Sequence, residues 1–228
     1  MRNFALMWVL AACLLGCGGD KDAKDKAVSA VDTVATFTDT RDGQVYKIVE
    51  IGSQKWFAEN LNYAAEGSRC YEDSPDSCAK YGRLYDWETA LKVCPVGTHL
   101  SSDEEWTTLE NYGGGDSIAG KKLKSTSGWN DYGKGTDEYG FSTLPGGFYD
   151  DRKGFCCVDH ISSAVFFDAG ICGYWWSATE LNVWKAWSRT MCNNYNDKYV
   201  DGVDGCGNYK TRLFSVRCVL DDEKEGRK

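Results

Sequence analysis

Apolar positions along the chain change period several times, and each change marks an element. Residues 4–15 are unbroken by polar side chains and follow Met1-Arg2. At about 12 residues this run falls short of the roughly 20 that cross a bilayer. From 18 to 36, Lys, Asp, Ala, Val and Thr mix without an apolar face, which predicts a solvated tether. Two strand-like runs, 45–51 and 54–58, flank Gly52-Ser53, a pair suited to a two-residue type II′ hairpin turn. Tyr81, Leu84, Tyr85 and Leu91 recur at helical spacing, so 81–93 is expected to be one amphipathic helix ended by Cys94-Pro95. Ser102 with Glu105 three residues on forms a capping box, opening a second helix through Trp106 and Leu109 that stops at Gly113-Gly114-Gly115. From Lys121 onward, short β-prone runs alternate with glycine turns, at 139–144, 174–178, 183–191 and 211–220. Two early helices followed by a half of strands and loops predict an α+β domain.

The first apolar run gains meaning from Leu14-Leu15-Gly16-Cys17 at its end. A basic residue, an apolar stretch and a small residue before cysteine are the pattern of a bacterial lipoprotein signal, cleaved before Cys17 and acylated there. Leu10-Ala11-Ala12-Cys13 fits the same box but leaves a very short signal. The expected organisation is a signal peptide at 1–16, a flexible tether at 17–36, one domain at 37–221 and a charged tail at 222–228. No aspartate directly follows Cys17, which points to the outer membrane or cell surface, with a lipid as the link to the membrane. A domain of about 185 residues is long enough for a full-sized core.

Charge and cysteine content narrow the classes. Lys and Arg number 26 against 34 Asp and Glu, a net charge of -8. No basic cluster is interleaved with aromatics, so nucleic-acid binding lacks its electrostatic source. Eleven cysteines are too many for a reducing compartment and are expected to oxidise after export. Setting aside Cys13 and Cys17 leaves Cys70, Cys78, Cys94, Cys156, Cys157, Cys172, Cys192, Cys206 and Cys218, an odd number. Cys70 and Cys78 flank a turn-like segment and make a local staple, as do Cys192 and Cys206. Cys94 and Cys218 could join an early segment to the last strand. Cys156 and Cys157 are adjacent, so each is expected to seek a separate partner such as Cys172.

Motifs for catalysis fare poorly against simpler readings. Residues 115–122 imitate a phosphate-binding loop, but Lys122 stands where Ser or Thr must hold magnesium, and a surface turn is the better expectation. Only His99 and His160 exist, and neither lies near a patterned nucleophile, so His99 reads as a hydrogen-bonded structural residue. Glu104, Glu105, Asp137, Glu138, Asp150 and Asp151 could formally supply a glycosidase pair, yet none is distinguished from a solvated acidic surface. Asp131, Asp137, Asp201, Asp204 and Asn208 lie in glycine-rich loops able to offer oxygens to calcium, although turn chemistry explains them equally well. No catalytic residue and no cofactor other than that possible calcium is assigned. Trp175, Trp176, Trp184 and Trp187 form the more informative cluster, because indoles stack on sugar rings and anchor protein partners. Strand alternation also allows most of these rings to be core.

The order of motifs is distinctive. Asp42-Gly43-Gln44-Val45-Tyr46, Ile51 through Leu61, Tyr81 through Trp87, Cys94 through Leu100, Asp103-Glu104-Glu105-Trp106, Gly140 through Gly147, Trp176 through Glu180 and Ser215-Val216-Arg217-Cys218 together resemble the Fibrobacter succinogenes major paralogous domain. The likeness runs from about Phe37 to Leu220, with Thr98 standing where the family usually has Trp and Ser101 where it usually has Pro. The resemblance implies a C-type-lectin-like fold, distantly related to formylglycine-generating enzymes, in exported surface domains without an assigned activity. Trp129-Asn130-Asp131 is similar to a calcium-ligating triplet of sugar-binding lectins, but its companion loop is missing. The expectation is a lipid-anchored, disulfide-braced module that binds a polysaccharide or surface protein through Trp175, Trp176, Trp184, Trp187, Asn130 and Asp131. A cysteine-dependent oxidase using Cys156, Cys157 or Cys172, and a purely structural envelope lipoprotein, stay open as alternatives.

Overall fold

The computed structural model describes residues 35–130, 133–150, 166–193, 198–201 and 208–222. The signal, Cys13, Cys17 and most of the expected tether lie outside them, as do Asp131, Asp151, Cys156, Cys157, His160, Asp204 and Cys206. Among the described residues ten strands and four α-helices follow in the order β1 Thr36–Thr38, β2 Val45–Ile51, β3 Gln54–Phe57, α1 Pro75–Tyr81, α2 Trp87–Val93, β4 Thr98–Leu100, α3 Asp103–Tyr112, α4 Asp116–Leu123, β5 Phe148–Tyr149, β6 Phe166–Phe167, β7 Cys172–Glu180, β8 Ala186–Cys192, β9 Lys198–Asp201 and β10 Cys218–Leu220. They form an α+β domain, as the sequence predicts. Strand β1 starts one residue inside the stretch read as tether, paired to β2 from Thr36↔Lys47 to Thr38↔Val45.

Three antiparallel sheets carry the fold. The largest has the order β1-β2-β3-β10-β4, and β5-β6 and β7-β8-β9 form the other two. The last strand thus sits between early ones, with Val219 opposite both Trp56 and His99. Ahead of it, Leu213, Phe214 and Ser215 make isolated bridges to Tyr149, Tyr85 and Trp175. One late segment therefore stitches the sheets together, and residues 212–219 are buried without interruption. The β2–β3 hairpin closes through Ile51↔Gln54. Only Gly52 of its two turn residues has positive φ, at 64°, as the type II′ turn requires.

Helix boundaries follow local chemistry. The expected single helix over 81–93 is broken, helical only at Tyr81, where α1 ends, and from Trp87, where α2 begins. Gly82, at φ 75°, ends α1, while Arg83 to Tyr85 run extended, with Leu84 bridged to Arg69. Asp86 then opens α2 by accepting a hydrogen bond from the Thr89 N–H at 2.7 Å, and Cys94-Pro95 ends it as expected. In α3 the capping box is complete in both directions, so the reading of Ser102 and Glu105 holds. Residues 115–122 are not a surface turn. Helix α4 forms there because Ala119 and Leu123, four apart and fully buried, pack with Trp106 and Leu109.

The second half is less strand-like than its composition suggests. Residues 139–144 are a turn with one bridge, Thr143 to Lys124, not a strand. Asp137, at φ 50°, fixes that turn by accepting from the Ser142 N–H at 2.8 Å and its hydroxyl at 2.5 Å. The run 183–191 becomes a strand only from Ala186, and only Cys218–Leu220 of the run 211–220 is a regular strand. Disulfides Cys70–Cys78 and Cys94–Cys218 form as the sequence suggests. The third joins Cys172 to Cys192, replacing both the Cys192–Cys206 staple and the pairing of Cys172 with Cys156 or Cys157. The cause is register, since Cys172 and Cys192 face each other across β7 and β8.

Adjacent tryptophans on β7 divide the core. Trp176 stacks on Phe214 with ring centroids 4.4 Å apart, in the cluster that includes Tyr46, Phe57 and Tyr85. Trp175 points the other way, 6.3 Å from Trp106 and in the cluster with Trp56 and Phe141. Strand alternation dictates this split, and a buried indole N–H usually finds an acceptor, although that of Trp106 has none among the described residues. Trp176 donates to the Tyr85 carbonyl and Trp175 to Asn60 Oδ1, both at 2.8 Å.

Candidate functional site

The second of those acceptors belongs to the floor of a cleft of about 560 Å³ between β2, the end of α1 and the 140–144 turn. Gly82 lets α1 approach, because a Cβ there would stand 2.8 Å from both Asn60 Cβ and the Leu61 carbonyl. Its positive φ would add strain for any other residue. Asn60 uses its whole amide. Oδ1 accepts from Trp175 Nε1 at 2.8 Å and from Arg217 Nε at 2.7 Å, and Nδ2 donates to the Tyr81 carbonyl at 2.8 Å and Ser215 Oγ at 3.3 Å.

Arg217 is 1% exposed and donates to the carbonyls of Phe57 at 3.0 Å, Phe141 at 2.7 Å and Ser142 at 3.4 Å. All its acceptors are neutral. Burial therefore pulls its pKa down to about 9, opposed by the charges of Glu59 and Asp137, and it stays a cation at neutral pH. The walls carry Gln44, Lys47, Glu59, Asn62, Lys80 and Tyr81. Asn62 Oδ1 is buried without a hydrogen-bond partner. A cleft of this size falls in the range of about 300–1,000 Å³ typical of small-molecule sites. Its chemistry is amide, hydroxyl, cation and one carboxylate, suited to holding a polar ligand.

A second depression, about 940 Å³, surrounds His99. Here His99 Nε2 meets Glu105 Oε1 and Nδ1 meets Asp221 Oδ1, each at 2.7 Å, with Lys55, Glu104 and Asp222 also around the rim. This latch joins the end of β10 to the cap of α3. The Glu105 hydrogen bond, with Asp221 adding to it and burial opposing, pushes the His99 pKa up to about 9 from 6.5. Burial raises Glu105, but its bonds to His99 and Ser102 outweigh it and hold the carboxyl below 4.5. The raised imidazole contributes stability that is complete below pH 6.5 and lost as pH rises through about 9. The lowered carboxyl contributes above pH 4.5 and is lost on acidification. Because the imidazole is partly exposed, about 1 kcal/mol is expected. Denaturant unfolding should show the wild type losing that much relative to His99→Gln between about pH 6 and pH 10, and equal pH profiles would contradict the latch.

The predicted tryptophans do not converge on either cleft. Trp175 and Trp176 are fully buried, so packing rather than ligand stacking occupies them. Trp187 is half-buried, and Trp184, 71% exposed, sits on the turn before β8. Asn130 is exposed, its N–H bonded to the Gly170 carbonyl at 2.7 Å. Glu138 pairs with Lys122 at 3.1 Å and Asp150 with Arg212 at 2.9 Å, and Glu105 is held by His99 and Ser102. The sulfur of Cys172 is bonded to Cys192 and offers no thiol. Among the described residues no group of three His, Cys, Asp or Glu is placed to hold a metal, and no helix is long and apolar enough to cross a membrane.

Sequence reasoning passed over Asn60 and Arg217. The available signal was an arginine inside Phe214-Ser215-Val216-Arg217-Cys218-Val219, a run too apolar for a solvent-facing cation. Both residues fall in segments matched by the model of the Fibrobacter succinogenes major domain, which covers residues 49–220. No curated protein matches the chain. No solved structure matches it either. Most of the chain, including the cleft floor and the Cys94–Cys218 bridge, is thus accounted for by one family, and the protein belongs to the Fibrobacter succinogenes major domain family.

Proposed function

We propose that this chain is an exported, lipid-anchored surface module that binds carbohydrate, without catalysis, in the cleft floored by Asn60 and Arg217. One observation carries the reading: a cleft walled by amide, hydroxyl and charged side chains stands on a floor whose hydrogen bonds are fixed before any ligand arrives. Because the floor needs no further ordering, binding is opposed less, and the amides and hydroxyls of the walls can exchange hydrogen bonds with a hydroxyl-rich ligand. Three disulfides support export, since such bonds persist in oxidising compartments. The sequence around Cys17 supports the lipid and the outer-membrane or surface address. Kinship with C-type-lectin-like folds belongs to the same proposal.

The full chain should be retained on xylan or cellulose, or by members of a glycan array, and Gln44→Leu, which removes an amide from the cleft wall, should weaken retention several-fold. Absence of retention on every glycan would leave a structural envelope role instead. Cys17→Ala should abolish incorporation of a labelled fatty acid, and undiminished labelling would remove the anchor.

A further inference from the structure

The chain carries a net charge of -8, yet the cleft runs against that sign. Lys47, Lys80 and Arg217 line it against one carboxylate, Glu59. The lysines are exposed at its edge, and Glu59 Oε2 is already held by the Lys47 N–H at 2.9 Å. Arg217 forms no ion pair with any described carboxylate, and its Nη2 has only the 3.4 Å contact with the Ser142 carbonyl. A buried guanidinium engaged only by neutral oxygens gains more from an arriving anion than an exposed one, because the low dielectric strengthens the pair.

We propose that the cleft selects a carboxylate-bearing sugar, a uronic-acid oligosaccharide, with its acid group turned toward Arg217 and its hydroxyls toward the amide and hydroxyl groups of the walls. This rests on the carbohydrate reading above and adds the ligand class. A uronate ring presents hydroxyl donors beside its carboxylate, whereas an ionised Asp or Glu side chain of a peptide is acceptor only. Lys47 and Lys80 add long-range attraction that salt screens.

The test is calorimetric titration of the full chain with oligogalacturonate, its carboxyl-reduced form and hexaglutamate. The acid sugar should bind at least tenfold more tightly than the reduced one, and the preference should shrink at high salt. Replacing Arg217 risks unfolding, so the charge is probed at the edge. Lys47→Gln with Lys80→Gln should weaken oligogalacturonate severalfold more than it weakens the reduced sugar. Equal affinity for acid and reduced sugars, or an unaltered acid preference in the double variant, overturns the inference while the carbohydrate reading survives. Binding of hexaglutamate as tight as that of the acid sugar overturns the ligand class. Binding of no saccharide overturns both readings.

Discussion

Replacing Cys94 and Cys218 together by Ser should lower the unfolding free energy by about 5 kcal/mol, the cost in the chain-entropy account of freeing so long a loop. The bridge spans 124 positions, against 8 for Cys70–Cys78 and 20 for Cys172–Cys192. The same account assigns the shortest bridge only about 2.5 kcal/mol. Position reinforces length. Cys218 is fully buried on β10, the strand between β3 and β4, and Cys94 follows the last turn of α2. Cutting the link releases the helix from the middle of the sheet. Denaturant unfolding of the two double-serine variants measures the difference. A loss for Cys94/Cys218 no larger than that for Cys70/Cys78 would show that the long bridge does not restrain the unfolded chain.

Asn60→Ala should cost about 3–5 kcal/mol, because it strips partners from a buried cation and from a buried indole at once. Arg217 Nε and Trp175 Nε1 share the lost oxygen, and the Tyr81 carbonyl loses its donor. Asn60→Asp restores both acceptors and brings a charge beside Arg217. It should recover part of the loss and return the arginine toward its ordinary pKa, while the Tyr81 carbonyl stays unpaired. Equilibrium unfolding of the two variants tests this. A loss below about 1 kcal/mol for Asn60→Ala, the worth of one ordinary hydrogen bond, would mean that the floor relaxes and is not the rigid platform on which the binding proposal depends.

What could be read directly from the chain was whatever local chemistry determines. The II′ turn at Gly52 and the capping box of α3 need only neighbouring residues, and both appear as expected. The split between α1 and α2 escaped because Gly82 is chosen by a distant neighbour, Asn60. Likewise α4 looks like a turn until Trp106 and Leu109 are there to cover Ala119 and Leu123. Cysteine pairing shows the same divide. Cys70–Cys78 follows from spacing, but Cys172–Cys192 follows from strand register, which the chain alone does not display. For the site, exposed indoles were the natural candidates by side-chain chemistry, and burial removed Trp175 and Trp176 from that role. Asn60 and Arg217 lie 157 positions apart, and only the placement of β10 beside β3 brings them together.

The central claim, that the Asn60–Arg217 cleft holds a saccharide, is tested most directly by following the tryptophan indole and asparagine amide resonances of the full chain while xylo-oligosaccharide and then oligogalacturonate are added. The account predicts saturable shifts at the Asn62 amide and at the Trp175 indole N–H bonded to Asn60. Movement confined to the exposed Trp184 indole, with Asn62 and Trp175 unchanged at saturation, would contradict it.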